Sequence, residues 1–207
     1  MIIDVYSDTV CPWCFIGKRR LESALRDWRG PAPEIRWRAF QLTPEMPAGG
    51  LDRDHYLQLK FGTADASRLF RRVAETGREV GIEFAFERIR RSPNTLDSHR
   101  LIRRAAREGC QEAAVEALFR AYFLEGRDIG DRDVLAGIAG GLGMDERAAR
   151  AWLDTDEDVQ EVRDEDAGAR DLGIGGVPFY LVGGRFPVTG AQTPDVFLQA
   201  LERVAGG

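Results

Sequence analysis

The sequence predicts an α/β fold whose sheet is assembled from the two ends of the chain. Residues 2–42 have the pattern strand, helix, strand, and the chain after residue 176 has the pattern strand, strand, helix. Between them, residues 52–170 are rich in Arg, Glu and Ala and contain few runs typical of strands. We therefore expect a single bipartite sheet interrupted by a large, all-helical insertion.

The N-terminal elements follow from the spacing of apolar residues. Residues 2–7 form a short apolar run with β-branched members, which predicts a buried strand. From Cys14 to Gly30, apolar residues recur at helical spacing among charged ones, which predicts an amphipathic helix. Residues 34–42 alternate between apolar and basic side chains until Pro44 breaks the run, which predicts a second strand.

The middle of the chain is predicted to be helical. Glycine and proline turn signals divide it, and we expect four to six helices, one of them over residues 95–108. The whole length of 207 residues is short for two independent average-sized domains. We therefore assign residues 1–44 and 172–207 to one domain and residues 45–171 to a helical insertion domain.

The C-terminal elements are predicted to complete the sheet. Residues 177–182 favour a strand, the glycine pair at 183–184 favours a hairpin turn, and residues 185–189 favour the returning strand. A helix over residues 194–204 closes the chain.

Composition and charge narrow the class of partner. The net charge is −5, and the 29 basic residues are interleaved with 34 acidic ones, which argues against a nucleic-acid partner. The start of the chain has no basic, apolar signal pattern, and no run approaches the roughly 18 apolar residues of a membrane span. We expect a cytoplasmic protein with no membrane partner.

Two of the three cysteines form a motif that points to redox chemistry. Cys11, Pro12, Trp13 and Cys14 stand where a strand ends and a helix begins, so the first sulfur meets the positive end of the helix dipole. Two cysteines at this spacing lie on one helical face and can form a disulfide with each other. We predict that Cys11 is the nucleophile and Cys14 the resolving thiol.

Alternative interpretations of the pair remain open from the residues alone. A zinc site needs two further ligands, and only Cys110, His55 and His99 are available, none at the spacing of a zinc knuckle. Two buried structural cysteines are a second alternative. We expect no metal, and we expect Cys110 to be an ordinary thiol without a redox role.

The whole chain resembles a known family. The cysteine motif followed by a distant Gly-Val-Pro resembles the thioredoxin fold in its DsbA-like branch, and more specifically the FrnE-like subgroup. The matching strings are DTVCPWCFIGKRRLE at 8–22, RAFQLTPEMPAGG at 38–50, GGVPFYLV at 175–182 and VTGAQ at 188–192. The resemblance implies that Pro178 is a cis-proline packed beside the cysteines and that the backbone of Val177 pairs with an extended substrate.

Relatives of this family include the kappa-class glutathione transferases and the 2-hydroxychromene-2-carboxylate isomerases, which carry a serine at a cysteine position and bind glutathione. The two cysteines here favour the redox branch, in which no cofactor is required. The same pocket could still bind glutathione as a co-substrate. Its candidate lining residues are Asn94, His99, Val177 and Gln192.

Three functions are therefore compared. The first is a thiol-disulfide oxidoreductase that acts on protein or small-molecule thiols and disulfides. The second is a glutathione-dependent isomerase or transferase with a small aromatic substrate, which requires a pocket between the helical insertion and the rest of the chain. The third is a thiol chaperone that uses an apolar rim around Trp13, Phe15 and Pro178.

Overall fold

A computed structural model describes residues 1–206, apart from the side chains of residues 66 and 67. Residue 207, the last of the predicted C-terminal segment, lies outside the described residues. The strands are β1 (Ile2–Ser7), β2 (Glu34–Ala39), β3 (Leu51–Asp52), β4 (Arg91–Ser92), β5 (Phe179–Val182) and β6 (Phe186–Thr189). The helices are α1 (Pro12–Asp27), α2 (Arg53–Phe61), α3 (Ala66–Glu79), α4 (Leu96–Arg107), α5 (Gln111–Phe123), α6 (Arg132–Gly141), α7 (Glu146–Leu153), α8 (Val159–Asp171) and α9 (Pro194–Ala205).

The two ends of the chain form one four-stranded sheet, as predicted. Its strand order is β2-β1-β5-β6, with β1 parallel to β2 and the other pairs antiparallel. In the register of the sheet, Val5 of β1 lies between Trp37 and Tyr180, and Tyr6 lies beside Phe179. Side chains alternate between the two faces of a strand, so Tyr180 lies on the face covered by α9, where its ring contacts Phe197 edge-on at 4.7 Å.

Helix α1 begins at the cysteine motif. Cys11 is the N-cap residue with extended backbone angles, and Pro12 occupies the first turn, where its missing N–H removes no helical hydrogen bond. The apolar side of the helix is buried and includes Phe15, Ile16 and Leu21. The sequence thus sets both the start of the helix and the face that packs on the core.

Strand β2 ends at Ala39, earlier than the predicted end at residue 42. The Phe40 N–H still donates to Ser7 O of β1 at 3.1 Å. The next two N–H groups donate to side chains instead, Gln41 N to Asp166 Oδ1 at 2.7 Å and Leu42 N to Asp8 Oδ2 at 2.7 Å. Buried carboxylates therefore end the ladder, and alternation in the sequence does not reveal them.

The prediction of four to six helices in the middle of the chain was wrong, since α2 to α8 are seven helices in the described part of the insertion. The division depends on aspartate side chains that cap helix N-termini and accept backbone N–H groups, which the glycine and proline signals did not show. Side-chain caps of this kind are Asp52 for α2, Asp65 for α3, Asp131 for α6 and Asp145 for α7.

The sheet and the helical segment between β2 and β5 both contribute to a large hydrophobic core. A second, smaller cluster joins Tyr6 and Phe40 to Ala169 and Ile174. Phe15 of α1 stacks on Phe119 of α5 with ring centroids 5.0 Å apart and contacts Phe84 edge-on at 6.1 Å. Because Phe15 directly follows Cys14, this aromatic packing fixes the cysteine motif against the helical segment.

Candidate functional site

Cys11 lies where the loop after β1 turns into α1. Its backbone N–H donates to Asp8 O at 3.0 Å, and its side chain makes no capping hydrogen bond, so the sulfur is available for chemistry. The Sγ–H donates to the carbonyl oxygen of Val177 across a distance of 3.6 Å. The fold thereby brings together two positions far apart in the chain, one on each side of the helical segment.

Cys14 lies one helical turn further on and is more deeply enclosed. Its side chain is 1 % exposed, against 4 % for Cys11, and both cysteines are free thiols. Burial raises the pKa of Cys14 well above its usual value, and the neighbouring Cys11 thiol raises it further, although hydrogen bonds from Ser7 and from the Asp8 backbone oppose this. Cys14 is therefore a protonated thiol at neutral pH in the dithiol state.

The segment facing the cysteines contains a cis peptide bond between Val177 and Pro178. Pro178 is buried and Val177 is half-buried. The carbonyl oxygen of Pro178 accepts a hydrogen bond from Gly190 N at 2.8 Å, which ties this segment to the turn after β6. Within this segment, the carbonyl oxygen of Val177 lies 3.6 Å from the Cys11 sulfur.

Asp8 supports the cysteine loop and was not identified from the sequence. Its carboxylate is 1 % exposed; Oδ2 accepts the Leu42 N–H, and Oδ1 lies 3.3 Å from Nε2 of His99 on α4. A second contact joins Thr9 to Ser98, whose hydroxyl oxygens are 2.8 Å apart. The loop that carries Cys11 is thus bound to α4 by buried polar contacts. The sequence does not reveal these contacts, because a single Asp after a strand indicates only a turn.

A cavity of about 110 Å³ lies beside Pro12, between the cysteine loop and the helical segment. Its apolar wall includes Val10, Met46 and Phe70, and its polar groups include Arg53 and Lys60.

The Arg53 side chain in this cavity carries a buried positive charge. Arg53 is 9 % exposed and, among the described residues, forms no ion pair with a carboxylate. Its Nε has no hydrogen-bond partner there, and its NH1 makes only long contacts, at 3.3 Å to Ser92 and 3.4 Å to Tyr122. The cavity next to the cysteine motif is therefore lined by the Arg53 and Lys60 cations and by the Asp8 carboxylate.

The side chains of the three further ligand-binding candidates contact other parts of the chain. Asn94 donates to Met46 O at 2.6 Å and accepts from Leu96 N at 2.9 Å. His99 is 3 % exposed and lines a groove beside β2, and Gln192 is exposed and donates to Thr189 O at 2.8 Å. Their side chains bond to the chain itself, and their role in binding glutathione stays a prediction.

The remaining residues of the motif and the third cysteine have distinct surroundings. Trp13 is partly buried and packs against the core, whereas Cys110 is the half-exposed N-cap residue of α5. Within residues 1–206, no group of three or more His, Cys, Asp and Glu side chains is arranged to hold a metal ion. None of the described helices is both long and apolar enough to cross a membrane.

A four-stranded mixed sheet, a cysteine pair at a helix N-terminus and an opposing Val-Pro segment define a thioredoxin-like fold with a helical insertion. The chain belongs to the family of DSBA-like thioredoxin domains, whose family model matches residues 2–202. It is therefore a member of a family of thiol oxidoreductases with the predicted fold class.

Two similar proteins match over nearly the whole chain. The YwbO protein of Bacillus subtilis, itself uncharacterized, is 30 % identical over 203 residues, covering 96 % of this chain and 94 % of the relative. A probable DsbA oxidoreductase from Streptomyces coelicolor is 32 % identical, and its crystal structure superposes with a TM-score of 0.90, covering 100 % of this chain and 90 % of that one.

A more distant structure shares the fold. A 2-hydroxychromene-2-carboxylate isomerase is 20 % identical with a TM-score of 0.76, covering 99 % of this chain and 96 % of that one.

Proposed function

We propose that the protein is a thiol-disulfide oxidoreductase in which Cys11 and Cys14 alternate between a dithiol and a disulfide. The observation that carries this proposal is the position of the Cys11 sulfur, at the N-terminus of α1 and 3.6 Å from the carbonyl oxygen of Val177. Backbone N–H groups at a helix N-terminus stabilise a thiolate, which is the attacking form of cysteine.

The proposed reaction has two exchange steps. The Cys11 thiolate attacks one sulfur of a substrate disulfide, forms a mixed disulfide and releases the other substrate sulfur as a thiolate. Cys14 then loses its proton to solvent and attacks Cys11 Sγ; the Cys11–Cys14 bond forms and the second substrate sulfur leaves as a thiolate. Two electrons pass from the protein to the substrate, and the reverse sequence oxidises a substrate dithiol.

Residues around the pair bind and orient the substrate in this proposal. The backbone of Val177 pairs with an extended substrate segment and Pro178 holds it beside Cys11, while Pro12 and Trp13 form the adjoining surface. The substrates are protein or small-molecule thiols and disulfides, no resident cofactor is required, and glutathione serves as a co-substrate. We place this reaction in the cytoplasm, where most thiols are kept reduced.

Single substitutions test the redox pair. We expect Cys11→Ser to abolish reduction of the insulin disulfides, because no thiolate remains to attack, and Cys14→Ser to accumulate a mixed disulfide on Cys11. The matched control Cys110→Ser keeps full activity, since Cys110 lies at the start of α5. The measurements are insulin reduction and mass spectrometry of the trapped adduct. Unchanged insulin reduction by Cys11→Ser contradicts the mechanism.

The charged cavity beside Pro12 favours a second candidate, a glutathione-dependent isomerase or transferase with a small substrate. Arg53 and Lys60 supply positive charge to a ligand carboxylate, and the apolar wall accommodates an aromatic group. Such an enzyme uses one reacting thiol and needs no internal disulfide. Turnover of a small aromatic substrate with glutathione that survives Cys14→Ser and is lost in Arg53→Gln distinguishes it from the oxidoreductase.

A further inference from the structure

Tyr180 carries an unpaired polar group close to the cysteine pair. It lies on β5 two residues after Pro178, and its side chain is 0 % exposed. Its hydroxyl has no hydrogen-bond partner among the described residues. A buried hydroxyl without a partner costs free energy that a phenylalanine ring in the same place would not cost. Packing alone therefore does not account for a tyrosine at this position.

The hydroxyl lies close to Gly17 of α1. A Cβ atom added to Gly17 would lie 2.1 Å from Tyr180 Oη and 3.1 Å from Pro178 Cγ. Only a residue without a side chain leaves room for the hydroxyl there. Gly17 is one helical turn after Cys14, and the surface over a helical position covers the preceding turn. The Tyr180 hydroxyl therefore lies against the turn of α1 from Cys14 to Gly17, where it makes no hydrogen bond to either cysteine in the dithiol state.

The electrostatics of Tyr180 agree with this position. Burial raises the pKa of Tyr180 well above its usual value, charge on Cys14 and then on Cys11 raises it further, and Arg20 opposes this. The phenol consequently stays protonated at neutral pH and can donate a hydrogen bond. The groups that act on the pKa of Cys14 are the Cys11 thiol before α1, the Ser7 side chain at the end of β1 and the backbone of Asp8.

We propose that Tyr180 is a positioning residue for the resolving step, in which its hydroxyl donates a hydrogen bond to Cys14 once Cys14 has become a thiolate; the dithiol state lacks this bond. This inference rests on the proposed oxidoreductase function. When Cys14 loses its proton to solvent and attacks Cys11 Sγ, the donated hydrogen bond stabilises the buried negative charge until the Cys11–Cys14 bond has formed. The substrate sulfur leaves Cys11 as a thiolate, so charge and electrons balance as in the exchange reaction itself.

The test separates the two exchange steps by stopped-flow absorbance. The reduced protein, with Cys110→Ser to remove the third thiol, reacts with dithiobis(nitrobenzoate), which releases one coloured thiolate when Cys11 attacks and a second when Cys14 resolves the adduct. We expect Tyr180→Phe to leave the first release unchanged and to slow the second about tenfold at neutral pH. The pH at which the second release is half-maximal should rise by about one unit.

Two further variants serve as controls. Tyr6→Phe removes a hydroxyl from a buried tyrosine of β1, which contacts Phe179, and should alter neither release. Gly17→Ala should slow the second release by displacing the Tyr180 hydroxyl. Its effect should be smaller in the Tyr180→Phe protein, where the 2.1 Å overlap is gone and only the 3.1 Å approach to Pro178 Cγ remains.

Equal slowing of both releases, or an unchanged second release and pH profile in Tyr180→Phe, overturns the role of Tyr180. An absent first release in the unsubstituted protein instead rejects the proposed function.

Discussion

Trp13 occupies the dipeptide between the two cysteines and brings no cationic hydrogen-bond donor to the Cys11 sulfur. Its side chain is partly buried and packs against the core. Groups near the nucleophilic sulfur set the balance between dithiol and disulfide, because they stabilise or fail to stabilise the thiolate of the reduced form. This residue is therefore expected to tune the redox potential.

The substitution Trp13→His tests this expectation. A histidine can be protonated and donate to the Cys11 thiolate, so the reduced form should gain stability and the protein should become a stronger oxidant. The measurement is the equilibrium constant against glutathione for both proteins. We expect a change of about tenfold toward the dithiol, and a more reducing variant would contradict the argument.

At the residue scale, the sequence indicated those candidate site residues that belong to a recognisable motif. Cys11, Cys14, Val177 and Pro178 belong to two motifs, and the fold brings them together. Asp8 carries no comparable pattern, because its importance depends on contacts with residues distant in the chain. The same reason hides Arg53 and Tyr180, whose unpaired groups become evident only when their surroundings are known.

At the scale of elements, α1 is held to α5 by a cluster of charged side chains. Lys18 is 3 % exposed and lies 2.7 Å from Glu112 and 3.1 Å from Glu116. Arg19 donates to Glu116 at 2.9 Å. Burial alone would raise the pKa of Glu116, but the Arg19 hydrogen bond and the Lys18 and Arg19 charges outweigh it and lower the pKa.

The lowered pKa predicts a dependence of stability on pH. A carboxylate with a depressed folded-state pKa contributes stability above its unfolded-state pKa, and this stability is lost as the pH falls through the folded-state pKa. Glu116→Gln should lower the free energy of unfolding by about 1 kcal/mol at pH 7, after allowance for solvent screening. The difference from the unsubstituted protein should shrink toward zero in acid.

Denaturant titrations at several pH values measure this difference, with Glu75→Gln on the exposed surface of α3 as the control. A loss of stability that is the same at neutral and acid pH would show that the Glu116 charge is not responsible.

Sequence patterns predicted the elements of the sheet better than those of the helical segment. The strands and α1 follow from apolar periodicity and from turn residues, and each was located to within a few residues. The boundaries between short helices instead depend on caps such as Asp131 and Asp145, whose role is clear only from the hydrogen bonds they accept. A capping Asp is a weak sequence signal for the start of a helix, because this part of the chain contains many other acidic residues.

At the scale of the whole molecule, the helical segment and the sheet are joined through a shared hydrophobic core rather than through a flexible linker. Phe15 is 0 % exposed and lies at this junction, in contact with rings from the helical segment. We expect the two parts to unfold together, because neither can lose its packing on Phe15 without exposing the apolar surface of the other.

Replacing Phe15 tests this cooperativity. Phe15→Ala should destabilise the fold by about 3–5 kcal/mol, the usual cost of truncating a buried aromatic side chain. Far-ultraviolet circular dichroism follows the helices and alkylation of Cys14 follows the site, and both midpoints should fall together. The control is Phe61→Ala, whose side chain is 48 % exposed. A site that opens while the helices keep their original midpoint would show two independent units.

Equilibration of the protein with glutathione buffers of increasing oxidation tests the redox pair most directly. At each buffer composition, thiols are blocked and the disulfide-linked peptides are mapped by mass spectrometry. A two-electron transition to a bond between Cys11 and Cys14, with Cys110 outside that bond, is the predicted result. Two free thiols throughout, or glutathione attached to Cys11 beside a Cys14 that stays reduced, would contradict the assignment of these cysteines as an internal redox pair.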